Sequence, residues 1–412
     1  MISLEPLKGM NDYYPELMSK VNYIFDKWKE TCKKYGGEEY EAPIMESADL
    51  WLEKSGGELP EQMYTFKDKS DRQLALRPEM TPSLARMIAK KNKELKKPLK
   101  WFSMPRCYRY EQPQKARDRE FFQLNYDVIG KYNPKVVAET FALINDFLIS
   151  LGLKDKDFII RINNRKLMDS YLDSLEIKNK KEVMKEIDGI EKLSKEDFEN
   201  NLKKIKLKKE QIEKVYLLKT ATLKDFKKLD EVGNKAKKEM DEIFSMLKSY
   251  GVKTAKFDPI IIRGLDYYTD IVFEVFSTMG GRAIVGGGAY EDLVTSFLPN
   301  VKLPAIGFGA GVPGILVCLE EKKIFEKYKK NVDYYIAVLS ENCYEKAVGL
   351  AQEYRKKGTV ELALDVQGLS KQFEYANYLG AKKIIILGDK DLENKQYTMK
   401  DLESGKESKE KL

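Results

Sequence analysis

Apolar positions recur at two different spacings along this chain, and the changes between them lay out its elements. Between residues 17 and 35, Leu17, Val21, Ile24, Phe25, Trp28 and Cys32 fall on one face of a 3.6-residue period that Gly36 and Gly37 end. That spacing predicts an amphipathic helix. The stretch EYEAPIMES that follows reads as extended, and Pro43 inside it points to a sheet edge or an interface, because proline has no N–H to give to a ladder. RQLALRPEMTPSLARMIAKK then predicts strand, turn and helix, with Arg77, Pro78 and Glu79 in the turn and Thr81 and Pro82 as helix N-cap and first helical residue.

Residues 100–130 predict two strands joined by a charged loop. The second alternates: Phe122, Leu124, Tyr126 and Val128 share one face, and Gln123, Asn125 and Asp127 share the other with Phe121. Such a polar row fits a solvated face or the floor of a polar pocket. From 165 to 250 lysine and glutamate dominate at helical spacing, which predicts a helical insertion with solvated faces. Strands return at FDPIIIRG and TDIVFEVF, a hairpin follows at TMGGRAIVGGGAYEDL, and LPAIGFGAGVPGILVCLE reads as strand, glycine-rich turn and helix. After residue 331 strands alternate with helices, the pattern of a small α/β binding domain with a mainly parallel sheet. Its first strand is not followed by a GxGxxG dinucleotide fingerprint.

Composition narrows the chemistry. At 412 residues the chain has room for two to four domains. Its 42% hydrophobic and 34% charged residues are those of a globular protein, and no apolar run reaches the roughly 18 residues of a membrane span. The first residues show no secretory leader, so a cytoplasmic protein with no membrane association is expected. Four well-separated cysteines form no CxxC pair, so buried thiols are expected, with neither a disulfide framework nor a zinc knuckle, and no metal site is assigned. A net charge of +7 suits a polyanionic partner, although a lysine-rich composition gives the same figure. The chain contains no histidine. Imidazole triads, His-ligated metals and imidazole acid–base catalysis are therefore excluded, and carboxylates, arginines, tyrosines and backbone amides must carry any reaction.

Singly the motifs are weak, and GFGAG alone fits backbone packing better than phosphate binding. Their order is more informative. GMNDYYPE, LRPEMT, the strand–loop–strand unit around Arg109, RGLDYY, GGGAYE, GFGAG and LSKQFEYANYLGA together resemble the class II histidyl-tRNA synthetases over nearly the whole chain. The resemblance implies an α+β fold: an antiparallel-sheet catalytic domain in two parts, 1–164 and 251–328, a helical insertion at 165–250, and an anticodon-binding α/β domain at 329–412. It implies histidine–tRNA ligase activity in a homodimer, with L-histidine, ATP and tRNA(His) as substrates and Mg2+ accompanying the nucleotide. By resemblance Arg109 and Arg263 flank the α-phosphate as catalytic groups. ATP is expected at Arg109, Glu111, Arg263, Gly307, Gly309 and Gly311, and histidine at Glu79, Thr81, Gln123, Asp127, Tyr267 and Tyr268. The tRNA acceptor end falls to Gln112, Gln114, Lys115, Arg117 and Arg119 of the loop EQPQKARDR.

The pattern departs from the family at several positions. Asp127 stands where glutamate is usual, Ala289 and Gln112 where arginine is usual, and Phe122 where histidine is usual. Arg282 lies near Ala289 and offers a substitute charge. Gly314 occupies the place of the motif 3 arginine, and losing one charge-assisted phosphate contact costs about 1.5–3 kcal/mol. ATP binding is therefore expected to be weakened, or compensated by other basic groups. A non-catalytic paralogue resembling the ATP phosphoribosyltransferase regulatory subunit, or an RNA-binding sensor, is the alternative. Because no side chain here has an ordinary pKa between about 5 and 8, any titration of activity near pH 6 is expected to follow the substrate's imidazole. A synthetase free of its own amino acid remains translatable when charged tRNA is scarce; chance loss is the other explanation.

Overall fold

The alternating segment forms the strand Glu120–Ile129, around which the larger part of the molecule is organised. It pairs antiparallel with Leu99–Ser103 on one side and Ala305–Gly311 on the other. Beyond Ala305–Gly311 the ladder continues, antiparallel throughout, to Ala283–Tyr290, Ile271–Ser277 and Phe158–Asn164. Short parallel strands, Glu38–Glu39 and Ala255–Phe257, close the two edges, and Arg106–Tyr108 pairs separately with Glu120–Ile129, giving nine strands. The computed structural model describes residues 2–52, 59–263, 267–279, 283–292, 294–327 and 332–412. These residues divide into two compact units, Met1–Lys322 and Lys323–Leu412.

One face of the large sheet is the core. Leu124, Tyr126 and Val128 project from it and are buried. The helices Pro15–Lys34 and Pro134–Ser150 pack over this face, and Trp28 meets Phe102, Phe147 and Phe308 edge-on. Truncating such a fully buried aromatic costs about 3–5 kcal/mol. Asn133 starts the second helix by accepting a hydrogen bond from the Val136 N–H at 3.1 Å, with Pro134 at the first helical position. Phe122 packs between Tyr13 and Phe25. The histidine-to-phenylalanine departure thus falls on a packing position.

Several expectations are corrected. The glycines of GFGAG make no turn. They continue the strand Ala305–Gly311 straight into the helix Val312–Glu321, because each stands across from a partner in the ladder. The aliphatic run before Arg263 is not a strand; pairing stops at Phe257, and Pro259 and Ile260 form a turn. Arg109 lies just past the strand Arg106–Tyr108, and Pro43 falls between the strands Glu38–Glu39 and Met45–Ser47. Thr81 is the first residue of the helix Thr81–Lys90 rather than its cap, and its hydroxyl is hydrogen-bonded to Tyr267.

The insertion contains the helices Arg165–Ser174, Lys180–Gly189, Lys195–Lys204, Lys209–Tyr216 and Glu231–Ser249. Their apolar faces enclose Leu167, Val183, Phe198, Val215 and Phe226 in a cluster that also takes in Ile260, which follows these helices in the chain. The smaller unit has a five-stranded sheet. Val360–Leu362, Tyr334–Val338 and Lys383–Leu387 run parallel, but Gln396–Asp401 and Glu407–Lys411 add antiparallel strands. The sheet is therefore mixed rather than mainly parallel: Gly405, at φ +73°, turns the chain back into a hairpin where a crossover helix would have kept the strands parallel.

Candidate active site

Across the face of the sheet opposite the core, ladder register puts the polar row beside a patch of glycine. Gln123, Asn125 and Asp127 stand opposite Gly311, Gly309 and Gly307, and Gly309 and Gly307 stand opposite Gly286 and Gly288. Directly opposed residues share a face. Three neighbouring strands therefore present bare backbone here, and the missing side chains leave a cavity of about 200 Å³. A Cβ at Gly307 would strike the Asp127 carboxylate, one at Gly309 the Gln123 amide, and one at Gly286 the Arg263 guanidinium. The glycines are required by the side chains above them.

The cavity walls come from distant segments. Glu79 is buried at the end of the turn RPE, where its backbone carbonyl accepts from Trp51 Nε1 at 3.3 Å and its Oε2 accepts from the Tyr267 hydroxyl at 3.2 Å. Tyr267 and Tyr268 lie ring against ring with centroids 4.8 Å apart. Tyr290 donates to Asp127 Oδ1 at 2.7 Å. Burial, reinforced by the neighbouring Glu79 charge and opposed by that hydrogen bond, pushes the Asp127 carboxyl up to about 7. It also pushes the Tyr267 and Tyr290 phenols well above their usual range. The cavity thus holds a carboxyl poised near neutrality.

A second cavity of about 760 Å³ adjoins the first, and Arg109, Phe121, Arg263, Ala283 and Gly311 line both. Arg109 donates through Nε to the Pro78 carbonyl at 2.9 Å and lies over the Phe121 ring. Arg263 donates through Nη1 to Glu274 at 2.6 Å, while its buried Nε has no hydrogen-bond partner among the described residues. Two guanidinium groups therefore meet at the junction of a small polar pocket and a larger cleft. Asn163 holds the segment leading to Arg263, donating to the Pro259 and Ile261 carbonyls at 3.0 Å each.

The sequence-predicted residues are distributed accordingly. Glu79, Thr81, Gln123, Asp127, Tyr267, Tyr268, Gly307 and Gly309 line the small cavity; Glu111 and Arg117 line the larger, and Gly311 both. Gln112, Gln114 and Lys115 are exposed, and Lys115 reaches Glu321 at 2.7 Å. Arg117 pairs with Glu111, and Arg119 donates to the Glu111 carbonyl and stacks on Tyr110. Asp266 and Arg282 lie outside the described residues. Among the described residues no group of three acidic or thiol side chains could by itself hold a metal ion, and all four cysteines are free and buried.

Comparison with known proteins supplies the family. A family model described as histidyl-tRNA synthetase matches residues 9–315, and one described as anticodon binding domain matches residues 333–412. The chain belongs to the histidyl-tRNA synthetase family. Among curated relatives, the histidine–tRNA ligase of Pyrococcus furiosus is 36% identical, with 99% of this chain and 97% of the relative covered. That of Leptospira biflexa is 34% identical, covering 98% and 94%. The crystal structure of histidyl-tRNA synthetase from Nostoc sp. PCC 7120 superposes with a TM-score of 0.86 at 24% identity, covering 100% of this chain and 97% of that one.

Within a histidyl-tRNA synthetase frame the departures gain physical meaning. Ala289 stands opposite Ile306 on the core face, so the arginine missing there is not missing from the cavity. Gly314 opens onto a separate cavity of about 320 Å³, and the larger cleft receives Pro313 from the same helix. Sequence reasoning missed Tyr290, Glu274 and Asn163. Tyr290 was within reach, because it follows Gly286 and Gly288 at period two on the cavity face. Glu274 and Asn163 are ordinary strand residues whose roles appear only through cross-strand register.

Proposed function

We propose that this chain activates L-histidine with ATP and transfers the histidyl group to tRNA(His). In the first step the amino acid carboxylate attacks the α-phosphorus and pyrophosphate leaves. In the second a ribose hydroxyl of the tRNA attacks the adenylate carbonyl and AMP leaves. Neither step needs an imidazole of the enzyme, since in-line displacement at phosphorus depends chiefly on positioning and charge neutralisation. Arg109 and Arg263 flank the reacting phosphate, Glu79, Thr81 and Gln123 orient the amino and carboxylate groups, and Asp127 with Tyr290 meets the ring beneath Tyr267 and Tyr268. Glu111 and Gly311 belong to the nucleotide side. Mg2+ would arrive with ATP, held mainly by phosphate oxygens and water with Glu111 as a protein ligand. Gln112, Gln114, Lys115, Arg117 and Arg119 face the acceptor end, and the smaller unit takes the anticodon. The enzyme works as a homodimer in the cytoplasm.

The observation that carries this reading is the pair of guanidinium groups where the two cavities meet. The non-catalytic alternative leaves that pair without a purpose. ATP–pyrophosphate exchange measured with each amino acid in turn tests the reading. L-histidine alone should support exchange, and no exchange with histidine at saturating ATP overturns it.

A further inference from the structure

The larger cleft is walled partly by the helical insertion. Asp188, Glu191 and Lys192, at the end of the helix Lys180–Gly189 and in the turn after it, line the same space as Arg109 and Arg263. That turn is firmly attached. Glu191 accepts from both Nη1 and Nη2 of Arg161 at 3.0 Å each, and Arg161 donates through Nε to Asp258 at 2.6 Å. Asp258 opens the segment that ends at Arg263, so one ion network fixes the turn and the catalytic arginine to the same strand.

The charges on the wall are unevenly matched. Glu111 pairs with Arg117, Glu274 with Arg263, and Glu191 with Arg161. Lys192 makes no ion pair among the described residues; it acts through space on the Asp188 carboxyl, which burial raises first and Glu274 second. From the helix Val312–Glu321 the cleft receives Pro313 and no cation. Arg109 and Arg263 stand at the junction with the small cavity, where the reacting phosphorus would lie, and a polyphosphate extending into the cleft needs positive charge further along.

We propose that Lys192 binds the terminal phosphates of ATP, supplying from the insertion the positive charge that the helix Val312–Glu321 does not bring to the cleft. This rests on reading the larger cavity as the nucleotide cleft. A lysine is a point charge on a flexible stem, so it meets a phosphate without the fixed fork geometry of arginine. The insertion then belongs to the nucleotide site as well as covering it.

The test is calorimetric titration of the full-length protein and its Lys192→Ala and Lys192→Arg variants with ATP and with AMP, alongside the ATP and histidine dependence of pyrophosphate exchange. Lys192→Ala should weaken ATP binding about tenfold to a hundredfold, leave AMP binding and the KM for histidine unchanged, and melt at the wild-type temperature. Lys192→Arg should keep the ATP affinity. An ATP affinity changed by less than about twofold in Lys192→Ala, or equal losses for ATP and AMP, overturns the proposal. Because binding is read apart from turnover, a wild-type protein that binds ATP without exchange refutes the proposed activity while the Lys192 comparison still decides this one. Absence of ATP binding to the wild type refutes both.

Discussion

Asp127 sits against Gly307 on one side and the Tyr290 hydroxyl on the other, almost wholly out of water. In the unfolded chain its carboxyl titrates near 3.9, whereas in the folded site burial holds it at about 7. Between those values the folded site keeps a proton that the unfolded chain releases. In the ligand-free protein Asp127 should therefore contribute a loss of stability as pH rises from about 4 to about 7, and Asp127→Asn should remove that contribution. Urea melts at about pH 5 and about pH 8 check it. In the proposed complex the ring N–H is accepted by the ionised form of Asp127, so the KM for histidine should fall as pH rises through about 7, and a substrate imidazole is not the sole source of titration expected of this enzyme. The sequence left the polar row open between solvent and pocket. What decides between them is glycine on a strand nearly two hundred residues away, and no local pattern encodes that pairing.

The segment from Asp258 to Arg263 shows how one element can mislead when read alone. Its aliphatic run has the composition of a strand, yet its carbonyls are held by Asn163, in a strand on the far side of the insertion. Asn163 is fully buried, and Asn163→Ala leaves two carbonyls without their donors. The variant should lose about 1–3 kcal/mol of stability. It should also lower kcat for pyrophosphate exchange more than it raises the KM for histidine, because the role proposed for Arg263 is to meet charge in the transition state. Denaturant melts and exchange kinetics measure the two effects, and an unaltered kcat would show that these carbonyls do not set the arginine's position. Elements with strong periodicity were easier. The first helix buries Val21, Ile24, Trp28 and Cys32 as its spacing predicts, and the alternating strand keeps its two faces.

For the whole molecule, motif order was more informative than any single motif, since it covered both the catalytic sheet and the final domain. The smaller unit closes its own core around Ile336, Ala351, Ile384 and Leu387. A chain ending at Lys322 should therefore keep histidine-dependent pyrophosphate exchange while losing most tRNA aminoacylation, as parallel assays of the truncated and full-length proteins would show. The mixed character of that unit's sheet escaped the sequence because its last two strands give little apolar signal: Gln396–Asp401 fully buries only Tyr397, and Glu407–Lys411 is polar and exposed throughout. A further consequence follows from setting the polar cavity in a chain without histidine. Once L-histidine is bound, every imidazole carbon–proton resonance in the spectrum of the complex belongs to the ligand. Its tautomer and protonation become readable by magnetic resonance with no imidazole background from the protein.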